Sequence, residues 1–251
     1  MRPKERQSII LEQIRRENRV DVEDLAETFT VSAETIRRDL DALASTGAIH
    51  RVRGGAKRLK LATENSLTER MGEHADAKGA IARKLAGVLD EGDTLFMDTG
   101  STTLACATAL ADLPGMTVIT NALGIAEQLG AQGRRHRVFL LGGRYGCANH
   151  QTAGPMVIEQ IARFQADHAV LTVAAVDTAG GAMDADEAEA EVARAMRAAA
   201  KNTIVLANGA KMGRRAAFRV CRLGEIDVLV SDMAPPPEIA AALQAAGAQV
   251  A

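Results

Sequence analysis

From Asp93 onward the chain alternates short apolar runs with longer helical patterns, and no other feature of the sequence constrains the fold as strongly. The runs are Thr94 to Met97, Thr117 to Ile119, Val138 to Leu141, Ala169 to Val173, Thr203 to Leu206 and Val228 to Val230. Such spacing predicts βα units and a largely parallel sheet covered by helices, because joining parallel strands takes a crossover that lays a helix on the sheet. Ala-rich stretches such as Glu187 to Ala200 and Glu238 to Ala246 suit tight packing on that sheet. A helical pattern from Ala75 to Leu89 opens the region, which shows no short-period solenoid repeat.

With 251 residues, the chain suits one large domain or a small one joined to a larger one, at roughly 100 to 200 residues per domain. Hydrophobic residues at 47% supply the core material that disordered chains lack. The longest nearly apolar stretch, Ala169 to Val176, falls far short of the roughly 18 residues of a spanning helix, so no membrane partner is expected. The mixed charged start, Met1-Arg2-Pro3-Lys4-Glu5-Arg6, is unlike an export signal. Cys106, Cys147 and Cys221 lie far apart and suit a reducing cytoplasm. Aromatics make up 2%, with no Trp and Tyr145 as the sole Tyr, which removes readers that stack single-stranded bases. Residues 1–60 hold 13 Lys plus Arg against 10 Asp plus Glu, and the remainder 17 against 22. That division, +3 in front of −5, permits a nucleic-acid-binding head.

The first sixty residues predict that head. A helix from about Lys4 to Glu17 puts Ile9, Ile10 and Ile14 on one side. Asp21 can cap a second helix carrying Val22, Leu25, Ala26 and Phe29. Ser32 can cap a third, in which Ile36, Leu40 and Leu43 form the inner stripe and Glu34, Arg37, Arg38 and Asp41 point outward. Gly47 is expected to stop this helix, and Ala48 to Arg53 alternates as a short basic strand ending at Gly54-Gly55. These features predict a winged helix-turn-helix. A helix in the major groove reaches base edges while wing arginines neutralise phosphates, which singles out Arg37, Arg38, Arg51 and Arg53. The candidate contact set also includes Ser32, Glu34, Thr35 and His50. On charge and periodicity alone, a small helical bundle with solvated arginines stays open as an alternative.

In open α/β sheets ligands gather beyond the C-terminal ends of strands. After the first run comes Asp98-Thr99-Gly100-Ser101-Thr102-Thr103, where a glycine lets a ligand approach and hydroxyls and free N–H groups open a helix. That arrangement suits phosphate, although a well-capped turn has the same composition. Thr120-Asn121 follows the second run, Gly142-Gly143 the third, and Lys211, a point positive charge, arrives soon after Ala207.

The string Val31-Ser32-Ala33-Glu34-Thr35-Ile36-Arg37-Arg38-Asp39-Leu40, continued by Leu43, Gly47, Ile49, Arg51 and Gly54-Gly55-Ala56, resembles the N-terminal signature of DeoR-family bacterial transcriptional regulators. Asp98 to Thr103, Thr120-Asn121, Gly142-Gly143, Glu189-Ala190-Glu191-Val192 with Arg194-Ala195-Met196, and Lys211 with Gly213 resemble that family's sensor domain in order and spacing. The resemblance implies a phosphosugar isomerase-like fold that binds a phosphorylated sugar or related metabolite. It implies that Asp98, Gly100, Ser101, Thr102 and Thr103 cradle the effector, with Asn121, Gly143, Glu189 and Lys211 lining the pocket. Two departures stand out. The chain has Gly-Ser-Thr-Thr where the family more often has Gly-Thr-Thr, and Asn208 stands where an acid is expected.

The expected architecture is therefore α/β: a winged helix-turn-helix over residues 1–60, a linker over 61–74, and a mostly parallel α/β effector-binding and oligomerisation domain over 75–251. The expected function is sequence-specific repression of a carbohydrate or related metabolic operon, relieved or enforced by the metabolite, with double-stranded operator DNA and further copies of the chain as partners. Two alternatives are an isomerase with a DNA-binding head and a constitutive DNA-binding protein whose rear domain only assembles. An isomerase needs a carboxylate base, and after Ala169 to Val173 only Asp177 is at hand; Asp184, Asp186 and Glu187 are expected to begin the next helix. Catalysis is accordingly not expected. His50, His74, His136, His150 and His168 have no metal-ligand spacing, and neither a Gly-x-Gly-x-x-Gly nor a Walker-type loop appears, so no metal or nucleotide cofactor is expected.

Overall fold

The computed structural model describes residues 1–45, 49–58, 61–113, 115–131 and 135–251. They form two compact units, Met1–Leu61 and Ala62–Ala251.

The first unit comprises α1 (Pro3–Glu17), β1 (Arg19–Asp21), α2 (Val22–Phe29), α3 (Ala33–Ser45), β2 (Ile49–Val52) and β3 (Gly55–Arg58). Pro3 starts α1, where a missing N–H leaves nothing unsatisfied, and Asn18 ends it in the left-handed conformation. The strands form an antiparallel sheet ordered β1-β3-β2. Ile10, Ile14, Leu25, Ile36, Leu40 and Ile49 close one core. Inside it the Arg6 guanidinium pairs with Asp39 at 2.5 Å, and Gln7 donates to the other oxygen of Asp39 at 2.9 Å, tying α1 to α3.

Three expectations are corrected here. Ile9 lies outside the core at 43% exposure, because the buried stripe runs through Ile10 and Ile14. Asp21 precedes α2 without a side-chain cap; its carboxylate accepts from Arg19 at 2.9 Å instead. The basic strand ends at Val52, and after a turn in which Gly54 has φ +81° the chain returns as β3. Gly47 and Ala48 lie outside the described residues.

The second unit starts with α4 (Leu67–Gly72) and α5 (Ala75–Ala86). Then follow β4 (Thr94–Met97), α6 (Ser101–Leu110), β5 (Thr117–Thr120), α7 (Leu123–Gly130) and β6 (Arg137–Leu140). A hairpin of β7 (Arg144–Gly146) and β8 (Gln151–Ala153) leads to α8 (Pro155–Ile161) and β9 (Ala166–Thr172). The chain continues through β10 (Ala175–Asp177), β11 (Gly181–Asp184), α9 (Glu187–Ala198), β12 (Ala200–Leu206) and β13 (Phe218–Cys221). It closes with β14 (Val228–Val230), α10 (Pro237–Ala245) and β15 (Gln249–Val250).

Seven of these strands build a parallel sheet ordered β15-β14-β12-β9-β4-β5-β6. Successive residues of β4 point to opposite faces. Phe96 joins a core with Val157, Met196 and Leu243 from α8, α9 and α10, while Leu95 and Met97 pack with Ile81, Cys106 and Ile125 from α5, α6 and α7. Helices thus cover both faces, as the alternating apolar runs predict. From β4 the order continues one way to β5 and the other way to β9, so the switch point, where α/β sheets open a crevice, lies between β4 and β9. The small antiparallel sheet β10-β11-β13 adds a feature absent from the expected pattern.

Residues 61–74 differ from the expected linker. Ala62 is buried against Ala174, Ala175 and Ala216, and its N–H donates to the Arg215 carbonyl at 2.6 Å. Ser66 and Glu69 form a capping box that starts α4, a local signal that the polar composition of the stretch hides.

Candidate functional site

In the first unit the outer side of α3 and the turn of the β2–β3 wing carry the candidate DNA contacts. Ser32 caps α3, accepting from the Thr35 N–H at 3.2 Å, and the two hydroxyls lie 2.9 Å apart. Arg37 and Arg38 are 49% and 80% exposed, and their contacts with Glu34, and of Arg37 with Glu23, are loose at 3.5–3.7 Å. Such exposed pairs contribute little and exchange readily for phosphate. Arg53 is exposed at the wing turn, whereas His50 is half-buried on β2. Arg51 is differently placed: it donates to Asp41 at 2.9 Å and to the Gly55 carbonyl at 2.7 Å, fastening the wing to α3. Lys57 and Arg58, exposed on β3, extend the basic face beyond the expected set.

In the second unit a cavity of about 210 Å³ opens at the start of α6. Ser101 and Thr102 line it, and α6 begins at Gly100 without a side-chain cap, which leaves the positive end of the helix to the cavity. Arg70, Lys78, Lys211 and Arg214 outnumber Glu64 and Glu73 among its lining side chains. Asn208, only 5% exposed, also lines it, and its Oδ1 has no hydrogen-bond partner among the described residues. A second cavity of about 290 Å³ shares Thr63, Glu64 and Asn65 with the first and is acidic, lined by Asp184, Asp186 and Glu189.

A hydrogen-bonded chain joins the two cavities. Glu64 accepts from Lys211 at 3.1 Å and from Arg70 at 2.7 Å; Arg70 donates to Asn149 at 3.0 Å; Asn149 and Gln151 both donate to Glu189. Lys211 also donates to the Val173 carbonyl, and Lys78 to the carbonyls of Arg70 and Glu73. Burial lowers the Lys78 pKa, with the Lys211 charge acting the same way. Burial raises the carboxyls of Glu189 and Asp184, the latter to about 7 with Glu189 and Glu64 adding like charge. Oxygens of Glu64, Asp184 and Glu189 lie within 4.8 Å of one another, a donor set suited to a hard cation, although Glu64 is already engaged by two side-chain cations.

Of the expected effector residues, Ser101, Thr102 and Lys211 line the first cavity and Glu189 the second, while Gly100 borders a third, apolar one with Leu67, Leu104 and Ile125. The other four turn inward. Asp98 accepts from the Thr172 N–H with both oxygens at 3.0 Å, clamping β4 to β9, and burial holds its pKa well above the usual carboxylate range. Thr103, fully buried, donates to the Gly100 carbonyl at 3.0 Å. Asn121 donates to Gln151 and to the Thr152 carbonyl. At Gly143 a Cβ would meet Val157 at 2.6 Å, so its role is close packing. Gly100 is constrained similarly, since a Cβ there would overlap Thr172 Oγ1.

Glu64, Arg70, Lys78, Asn149 and Asp184 join the site without any sequence motif that singles them out. The capping box at Ser66 is the one local signal that points to the helix carrying Arg70. Asp184 ends β11 and does not join the helix that follows, where Asp186 is the N-cap. Acids from three separate segments, Glu64, Asp184 and Glu189, thus meet at one place.

A helix-turn-helix unit followed by an α/β domain with a charged cavity is the architecture of a DNA-binding transcriptional regulator with a sensor domain. The chain belongs to the DeoR family: residues 6–61 match the DeoR-like helix-turn-helix domain and residues 73–233 the DeoR C terminal sensor domain. It is 30% identical to the glycerol-3-phosphate regulon repressor of Escherichia coli (strain K12), over 94% of this chain and 93% of that protein. It is 33% identical to the transcriptional repressor AccR of Agrobacterium fabrum, over 91% and 89%, and 32% identical to the HTH-type transcriptional repressor GlcR of Bacillus subtilis (strain 168), over 94% and 90%. Among solved structures it is similar to ribose 5-phosphate isomerase A from Methanocaldococcus jannaschii, at 12% identity and TM-score 0.41, covering 56% of this chain and 55% of that one.

Proposed function

We propose that this protein is a cytoplasmic, homo-oligomeric repressor of a carbohydrate or related metabolic operon, whose grip on operator DNA is set by a phosphorylated sugar or related metabolite. The observation that carries the proposal is the cavity at the start of α6, where Arg70, Lys78, Lys211 and Arg214 line a helix N-terminus, and where Asn208 Oδ1, without a partner among the described residues, could accept from a ligand hydroxyl. A phosphate there meets cationic side chains and helix N–H groups together. On the DNA side, Arg38 reads base edges and Arg37 and Arg53 contact phosphates, while Ser32, Thr35 and Glu34 set the start of α3. Named repressors among the relatives support the regulatory role.

A second reading, isomerisation, is favoured by one observation. Asp184, with a pKa of about 7 beside Glu189, has the properties of a general base. One experiment separates the readings. The full chain is titrated calorimetrically with phosphorylated sugars and glycerol 3-phosphate, with and without operator DNA, and product formation is assayed in parallel. Saturable binding that changes DNA affinity reciprocally, without turnover, is the expected outcome. Lys211→Ala should lose the metabolite response. Turnover would establish the enzyme, and neither binding nor turnover would reduce the second unit to assembly.

A further inference from the structure

The cationic end of the first cavity is already occupied by a side chain of the protein, Glu64. Its two oxygens engage Lys211 at 3.1 Å and Arg70 at 2.7 Å, with the Glu64 and Lys211 side chains only 17% and 18% exposed. Those are the cations that a bound phosphate would need. On its other side Glu64 faces Asp184 and Glu189, whose oxygens lie within 4.8 Å. Its position is thus a balance of attraction from two cations and repulsion from two acids.

Glu64 is also the third residue after Leu61, where the helix-turn-helix unit ends. The segment opens the second unit and is held by the buried Ala62, whose N–H donates to the Arg215 carbonyl, by the Glu64 carboxylate, by the Asn65 carbonyl on Arg70 at 3.0 Å, by the Asn65 amide on Glu73 at 2.9 Å, and by the Ser66–Glu69 capping box at its end. Arg70 therefore holds both the carboxylate of Glu64 and the backbone of Asn65.

We propose that Glu64 is a tethered competitor for the anion site: a ligand phosphate takes Lys211 and Arg70, expels the Glu64 carboxylate, and so releases the segment 62–66 that continues from the DNA-binding unit. The proposal rests on the cavity being the anion site. It supplies what coupling requires, a second arrangement of the chain that the ligand prefers. Two anionic groups cannot share these cations without strong repulsion in a partly buried site.

The test uses the full chain, inorganic phosphate as probe, and the variants Glu64→Gln, Glu64→Asp and Lys211→Met. Glu64→Gln should bind phosphate about tenfold more tightly than the wild type, a typical coupling. Without phosphate, its amides over 62–66 should exchange with solvent about tenfold faster, at the rate that saturating phosphate produces in the wild type. Glu64→Asp, which keeps the charge, should behave nearer the wild type, and unchanged exchange in β4, β9 and β12 certifies the fold of the second unit. If Glu64→Gln binds phosphate no more tightly while Lys211→Met abolishes binding, displacement is wrong and the cavity remains an anion site. Unchanged protection of 62–66 in the phosphate-saturated wild type would equally overturn displacement. If neither the wild type nor Glu64→Gln binds phosphate, both readings fall.

Discussion

The two units handle charge in opposite ways. On the helix-turn-helix, Arg37 and Arg38 lie in solvent with acids at 3.5–3.7 Å, pairs too loose and too hydrated to hold them. In the α/β unit, Glu64, Arg70 and Glu189 are largely withdrawn from water and linked by bonds of 2.5–3.0 Å. The first arrangement can trade its partners for any phosphate along a duplex. In the proposed function the second would release its cations only to a ligand that replaces the lost contacts, which would make it selective. A regulator needs both: a surface that engages a repetitive polyanion and a cavity that distinguishes small ones.

The contrast can be broken most forcefully at an exception to it, the buried Arg6–Asp39 pair inside the helix-turn-helix. Asp39→Ala strands a buried guanidinium and should cost about 3–5 kcal/mol of the first unit's stability in denaturant unfolding. A midpoint unchanged from the wild type would show that this pair behaves like a surface one.

Asp184 sharpens the comparison through pH. Its carboxyl has a pKa of about 7 in the folded chain against an ordinary value of 3.8, so the folded state holds the proton more tightly. That contribution to stability is complete below about pH 4 and is lost as pH rises through about 7. Asp184→Asn should flatten the fall in unfolding free energy across this window by roughly 2–4 kcal/mol. An equally steep profile in the variant would assign the fall to other groups, with Glu189 and Asp98, both shifted upward by burial, next in line.

On the DNA side, Arg38→Ala should lose about 1–3 kcal/mol of discrimination between operator and altered operator, because a base-reading arginine is bidentate. Arg53→Ala should instead lower the salt slope of binding by about one while leaving discrimination intact. Equal effects on both measures from both variants would contradict the assigned docking. The smallest effect is expected at Glu34→Ala, which removes the acid beside both arginines and should shift stability by less than about 0.5 kcal/mol. A larger loss would mean that the exposed network is held as firmly as the buried one.

Much of this is written locally. Ile36, Leu40 and Leu43 recur at helical spacing, and all three are buried on α3. The apolar run Thr94 to Met97 predicts a strand and is β4 without change of ends. Ser101, Thr102 and Lys211 line a common cavity at the start of α6. Other expected site residues bond inward, and for one reason. Asp98, Thr103 and Asn121 are polar residues at or just beyond strand ends, and composition does not say whether such a side chain faces a ligand or the neighbouring backbone. Asp98 is taken by the Thr172 N–H, 74 residues away. The polarity of the stretch 61–74 suggests a linker, yet polar residues become structural once Arg70 finds Glu64 and Asn149.

The sequence by itself determined the parallel α/β class and the helix-turn-helix in front of it, because periods of 2.0 and 3.6 residues fix which side of a strand or helix is apolar; the likeness to one family rests separately on residue strings such as Val31 to Leu40 and Asp98 to Thr103. Only the tertiary structure decided that Glu64 meets Lys211 across 147 residues, and that Asp184 and Glu189 share a cavity wall with it. Those meetings depend on strand order and on what packs at the switch point, and sequence separation carries no record of either.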